Sequence, residues 1–313
     1  MRRAPVGPPA LRPTGGLDRV TGVWILLALE LANTGGWVHG RPADCAKVEE
    51  DRGKSVWSRA KDPELSHYCI DMARAVGELS ADAPDMPRVL AALDAADRER
   101  PDQAVTLAVR GVVLAAGQKP DLALAAFEKA RAKDGRALDE PFVALAYARL
   151  LSGRGDLKAA ADIYRGLVVR ATLPPREADA MRWEAGMVLM ATGPAGLAQA
   201  TAILREGRER ATVRYADAFD LALALALDRG DRPDDAAPKA STAARALDPA
   251  VERSLAVLGL GFEAHALRGS SARDPKLGRD AYKRFLAERG DKSPWADHAR
   301  SRAAETRKPE SRR

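Results

Sequence analysis

Between residues 89 and 303 the apolar positions come in paired amphipathic stretches rather than alternating runs, which predicts helices. Residues 111–135, GVVLAAGQKPDLALAAFEKARAKDG, set the pattern. Gly117 can end one helix and Pro120 fits the first turn of the next. In that second helix Ala123, Phe127 and Ala130 share a face at i, i+4 and i+7 spacing. Small residues therefore stand where a core would ordinarily carry leucine. The same pattern recurs along the chain. Gly111, Gly186 and Gly261 are 75 residues apart, with Ala148 and Leu223 about halfway between them, giving a period of 37 to 38 residues. Each period predicts two antiparallel helices and a turn. The matching sets are Gly111 with Ala123, Phe127 and Ala130; Ala148 with Ala160, Tyr164 and Leu167; Gly186 with Ala200, Leu204 and Gly207; and Gly261 with Gly278, Tyr282 and Phe285. The unit around Leu223, with Ala237 and Ala244, departs from the pattern. Residues 89–101, VLAALDAADRERP, read as the second helix of a still earlier unit.

A small residue in one helix facing an alanine, aromatic, alanine set in the next resembles the tetratricopeptide repeat (TPR), over about residues 86–303. Leu107 and Leu114 stand where that family often has Trp and Tyr, and RGSSARDPK at 268–276 reads as a lengthened turn. The resemblance implies an all-α fold, a right-handed α-solenoid of antiparallel helix hairpins. Helices approach to roughly 8 Å only where the crossing residues are small, and the aromatic then fills the space beside them. One hairpin cannot bury its apolar face alone, so each stacks on the next.

Family geometry and helical spacing together place Phe142, Leu145 and Arg149 on a concave wall of first helices. Trp183, Met187 and Met190 follow, then Asp217 and Asp220, then Leu258, Phe262 and His265. Apolar anchors with an acidic pair and one arginine resemble a surface for an amphipathic or extended peptide, and methionine makes an adaptable lining. Trp183, Leu258 and Phe262 also fit inter-repeat core, and Asp217 and Asp220 also fit a solvated helix face.

Composition agrees with this picture. The chain is 46% hydrophobic but only 5% aromatic, with Ala and Leu carrying most of the apolar content, which favours helices packed on helices over sheets. A net charge of +6 would invite a nucleic-acid reading, but the excess sits at the ends. Residues 1–40 hold Arg2, Arg3, Arg12 and Arg19 against Asp18 and Glu30, and residues 292–313 hold seven Lys and Arg against Asp297, Glu305 and Glu310. Residues 41–291 are neutral, so no basic face runs along the fold and a nucleic-acid partner is not expected.

The N-terminus has a separate pattern. Four arginines precede VTGVWILLALELA at 20–32, followed by the polar, glycine-containing NTGGWVHG. This is the layout of a secretory signal, with an exit near Gly40. Glu30 inside the apolar run and the lack of an A-x-A site leave an uncleaved anchor as the alternative. Either way the protein is expected to be periplasmic or secreted, with membrane attachment only through that segment. A buried N-terminal helix of a cytosolic protein is the competing reading. Cys45 and Cys69 follow. In an oxidising compartment a bridge closing about 25 residues would add roughly 3.5 kcal/mol; two buried thiols are the other reading.

Motifs for chemistry are few. The sequence holds no P-loop, G-x-G-x-x-G, G-x-S-x-G or H-E-x-x-H pattern. His265 and Glu263 stand at i, i+2, on different faces of a helix, and two cysteines with one nearby histidine lack zinc spacing. No catalytic, cofactor or metal residue is assigned. Arg-Gly-Asp occurs at 154–156, 229–231 and 289–291, each time where a helix is expected to end, so it reads as Arg at the negative dipole terminus, Gly as stop and Asp as the next cap.

The chain is therefore expected to carry a signal or anchor at 1–40, an N-terminal helical cap at 41–101 with Cys45 and Cys69, a TPR-like α-solenoid at 102–303 and a basic tail at 304–313. The expected function is a non-enzymatic exported scaffold binding a protein or peptide in its groove. The alternatives are a structural repeat subunit of an envelope assembly and an α-helical enzyme acting on envelope polymers.

Overall fold

The structure is a computed structural model and describes residues 37–38, 41–45, 62–81, 83–170, 173, 175–231 and 248–305. Most of the expected signal segment, the expected small residues Ala237 and Ala244, and the tail beyond Glu305 lie outside the described residues. A two-residue strand β1 (Trp37–Val38) pairs antiparallel with β2 (Arg41–Pro42), Trp37 opposite Pro42. The other regular elements among the described residues are helices.

The helices form hairpins that pack on their neighbours in order. α1 (Pro63–Leu79) pairs with α2 (Met86–Glu99), α3 (Ala104–Ala116) with α4 (Pro120–Lys133), α5 (Pro141–Gly153) with α6 (Leu157–Arg170), and α7 (Pro175–Ala191) with α8 (Pro194–Arg210). α9 (Val213–Arg229) follows, then the short α10 (Pro249–Val257), the hairpin α11 (Glu263–Ser271) and α12 (Pro275–Ala287), and a closing helix α13 (Ala296–Ala304). First helices also pack along the stack, α3 on α5, α7 on α9 and α9 on α11. The described residues form an all-α solenoid of antiparallel hairpins. Helix starts are written locally. Asp62, Asp248 and Asp274 each precede a proline at the first helical position, and their carboxylates accept from the amides of Leu65, Ala250 and Lys276.

The repeat glycines show why the hairpins close. A Cβ on Gly111 would lie 2.7 to 2.9 Å from the ring of Phe127 in the facing helix, and one on Gly186 would run into Leu204. Phe127, Tyr164 and Leu204 are fully buried in these crossings. Gly207 meets Phe219 in the same way where α8 packs on α9.

Gly261 is different. It is exposed, lies between α10 and α11, and nothing stands within 4 Å of its Cβ position. The crossing residue of that hairpin is Gly269, whose Cβ would lie 2.8 to 2.9 Å from Tyr282. The 75-residue spacing breaks here because the additional residues precede α11. Residues 268–271 belong to the helix rather than to a long turn.

The Arg-Gly-Asp triplets divide as well. At the first, Arg154 caps α5, Gly155 has φ +88 and Asp156 accepts from the amide of Ala159. At the second, Gly230 caps α9, but Arg229 turns inward and its side chain is 2% exposed. At the third, Arg289 takes the left-handed conformation and Gly290 lies tight against Phe285.

Cys45 and Cys69 are joined, with Cα atoms 5.5 Å apart, tying the segment before α1 to that helix. The chain closes through Trp295, whose indole N–H donates to the Met190 carbonyl at 2.7 Å, binding the last hairpin to α7.

Two predictions follow from the packing. Gly111→Leu should cost roughly 1 to 3 kcal/mol by overpacking, whereas Gly261→Ala should stay within about 0.5 kcal/mol of wild type; urea unfolding of the two variants separates them. Replacing both cysteines with serine should remove about 3.5 kcal/mol by chain entropy, and thiol titration of folded wild-type protein should detect no free thiol.

Candidate functional site

The first helices α5 and α7 bring opposite charges together one repeat apart. Arg149 holds Glu184 through two hydrogen bonds, Nε to Oε2 and Nη2 to Oε1, both 2.9 Å. The Glu184 side chain is only 3% exposed. Two further donors complete its shell: the Tyr164 hydroxyl at 3.0 Å and the Ser254 hydroxyl at 3.1 Å. Burial works against the charged guanidinium, but the Glu184 carboxylate outweighs it and holds Arg149 above the ordinary arginine range. Burial, reinforced by the same carboxylate, raises Tyr164 well above the usual phenol range, so it remains a donor.

Ser254 belongs to α10, which packs against α5 as well as against the following helix α11. The Ser152 hydroxyl at the end of α5 donates to the Leu258 carbonyl at 2.7 Å. Gly259 has φ +69 and lies against the Ser152 and Gly153 carbonyls. Val251, Leu255, Leu258 and Leu260 of this segment are themselves buried, while Val257 points outward. Part of the wall of first helices is thus covered by residues 249–260 of the same chain.

The residues expected on the wall are distributed as follows. Arg149 faces α10 through the Glu184 pair. Leu145 is buried and Phe142 half-buried at the start of α5. Trp183 is 1% exposed, and its indole N–H donates to the Ala218 carbonyl at 3.1 Å, pinning α7 to α9. Met187 and Met190 are fully buried. Asp217 is exposed, whereas Asp220 is buried and accepts from Arg208 Nε at 2.9 Å. Leu258 lies in the segment covering the wall. Phe262 packs at a tilt against Phe285 with centroids 5.4 Å apart, and His265 Nε2 is 3.1 Å from Glu288.

Glu184, Tyr164, Ser152 and Ser254 were absent from the sequence-derived set. Arg149 and Glu184, opposite charges about one period apart on successive first helices, were the available signal. The serines carried none, because their contacts span 70 and 106 residues.

A second polar cluster closes the far end. Asp228 accepts from the Tyr282 hydroxyl and sits 2.9 Å from Arg302 Nε and 3.3 Å from His298 Nε2. Asp228, Tyr282 and Arg302 line a cavity of about 370 Å³ with Ser270, Arg279 and Glu305. Burial lowers His298, against the pull of Asp228, so the ring favours its neutral form. Beside it Arg229 pairs with Glu263 at 2.6 Å, both side chains nearly fully buried, with the guanidinium carbon 4.9 Å from the Trp295 ring centroid. Among the described residues no group of His, Cys, Asp and Glu is placed to hold a metal ion, and no helix is long and apolar enough to cross a membrane.

No protein-family model and no curated protein matches the chain. Among solved structures it is similar to one described as "Functional Characterization of Pseudomonas Aeruginosa pilF", at 17% identity over 78% of this chain and the whole of that one, with a TM-score of 0.43.

Glu140, just before α5, gives a pH signature. Burial pushes its carboxyl up from 4.5 to about 7, and its side chain does not cap the helix. The folded protein therefore binds more protons than the unfolded chain between those values. The stability this group contributes is fully present below 4.5 and is lost as pH rises through about 7. Glu140→Gln should stabilise the protein at pH 8 by roughly 1 to 2 kcal/mol, allowing for partial exposure, with little change at pH 4. Urea unfolding at both pH values checks this.

Proposed function

We propose that the protein is a non-enzymatic, exported scaffold whose wall of first helices binds a protein or peptide. The observation that carries this reading is that the wall already holds a short helix, using a hydroxyl on Glu184, a backbone carbonyl on Ser152 and leucines in the apolar bed. Those are the elements of helix-in-groove recognition. Export is supported by the signal-like N-terminus together with the Cys45–Cys69 bond, which an oxidising compartment maintains. The periplasm or the extracellular space is the proposed location. The first 40 residues then serve as a cleaved signal or as the sole membrane anchor. The neutral body argues for a protein partner rather than nucleic acid.

The assembly-subunit reading would place contact on the second helices instead. Leu122, Val169 and Leu277 are exposed there, but they lie singly on α4, α6 and α12, as ordinary surface residues do.

Photo-crosslinking in the envelope fraction of cells that make the protein discriminates the two. With p-benzoylphenylalanine in place of Phe142, a discrete protein adduct is expected; in place of Val169 on the outer side, none. Adducts from Val169 alone would favour assembly and overturn the groove reading.

A further inference from the structure

Helix α10 does not behave as a member of the stack. α9 and α11 pack directly on each other, with α10 lying beside that contact rather than between the two helices. Residues 249–260 instead reach back to α5, two hairpins earlier. Their named polar holds on the wall are two hydroxyl contacts, Ser254 to Glu184 and Ser152 to the Leu258 carbonyl. The helix has nine residues, fewer than an isolated helix needs for stability in water. Its outer side faces solvent at Arg253, Ala256 and Val257, and its Glu252 ion pair with Arg268 is exposed. A nine-residue length, an exposed outer side and few polar holds mark a segment of lower local stability than the long hairpins, with Val251, Leu255, Leu258 and Leu260 supplying its buried contacts.

The fit to the wall is nevertheless specific. Glu184 takes a hydroxyl, Ser152 takes the carbonyl at the helix end, and the following residue must be glycine. At Gly259 a Cβ would stand 3.1 Å from two wall carbonyls, in a left-handed backbone conformation. Leu258 and Leu260 flank it, buried.

We infer that residues 248–260 are an internal ligand of the wall, and that the partner is a protein segment of the same chemistry that replaces it: a short helix with a hydroxyl one turn before a Leu-Gly-Leu end. This deepens the scaffold reading and rests on it. Occupancy by the internal segment lowers apparent partner affinity by the fraction of molecules in which the wall is open.

The test uses the full chain and a fluorescent peptide of residues 248–261. Gly259→Val should expel the internal segment, seen as faster hydrogen exchange at the amides of 249–258 with α5 and α7 still protected. It should also tighten peptide binding roughly tenfold or more relative to wild type. If that variant fails to fold, the double variant Ser152→Ala and Ser254→Ala removes only the hydroxyl contacts and should still accelerate exchange in 249–258. A peptide carrying the glycine-to-valine change should bind the opened wall at least about tenfold more weakly.

A folded Gly259→Val protein with unchanged exchange and no gain in peptide affinity overturns the inference. So does equal binding of the two peptides, or sedimentation showing two copies exchanging the segment. Phe142-position crosslinking run in parallel separates the two readings. Partner adducts that are equal in wild type and variant, without peptide gain, leave the scaffold standing and remove the internal ligand; peptide gain with no adduct in either does the reverse.

Discussion

The structure depends on how closely two helices can approach at one point. At Gly111 and Gly186 the facing side chain occupies the space a Cβ would need, so Phe127 and Leu204 sit against bare backbone. Dispersion and apolar burial are collected there at near-contact distance, and the hairpin angle is set by it. Once the angle is set, each hairpin leaves its remaining apolar face for the next. The stack then grows by nearest-neighbour contacts, as in other repeat proteins. Tyr282 against Gly269 shows that the requirement belongs to the crossing and not to a fixed sequence interval.

Against this apolar frame the buried carboxylates of Glu184 and Glu263 are supported very differently. Glu184 has four donors, and its partner Arg149 keeps part of its side chain in solvent. Arg229 and Glu263 are almost wholly withdrawn from water, and Nε and Nη1 of the arginine and Oε1 of the glutamate find no hydrogen bond. A buried pair of this second kind contributes little net stability, because desolvation consumes most of the attraction. Its aromatic neighbours Trp295 and Phe285 offset part of that through the guanidinium face. The Trp295 indole bond to Met190 then connects this cluster to α7, so the polar interior of the last hairpin also registers it against the middle of the stack.

The fold was legible in sequence wherever the signal was local or periodic. Small residues facing Phe127, Tyr164 and Leu204, Gly117 and Pro120 at the turn between α3 and α4, and the low aromatic content all act within one or two turns or repeat along the chain. Legibility failed where a residue's role depended on a distant partner. Arg229 does end α9 with Gly230 as its cap, but nothing nearby announces that its side chain turns inward to Glu263, and Gly261 was placed at a crossing by an interval that α10 interrupts. Trp183 and Met190 sit on a first helix, as periodicity indicates, but face its packed side: their hydrogen-bonded partners are Ala218 on α9 and Trp295 near the end of the chain. Helical spacing separates faces only to within the width of one residue, and here that width decides between wall and core.

The same limit explains why the covering segment could not be foreseen. A nine-residue helix between two repeats reads as part of the next unit, since its leucines continue an amphipathic pattern. What sets it apart is the direction in which it packs, and that is fixed by Ser152, Glu184 and the bare carbonyls beside Gly259, none of which differs in kind from ordinary surface residues. Val251, Leu255, Leu258 and Leu260 would face water if residues 249–260 did not pack back on the first helices, and exposing such apolar side chains is costly. Residues 249–260 therefore complete the core through Val251, Leu255, Leu258 and Leu260 and at the same time cover the first helices through Ser152 and Glu184, so one set of contacts serves packing and shielding together.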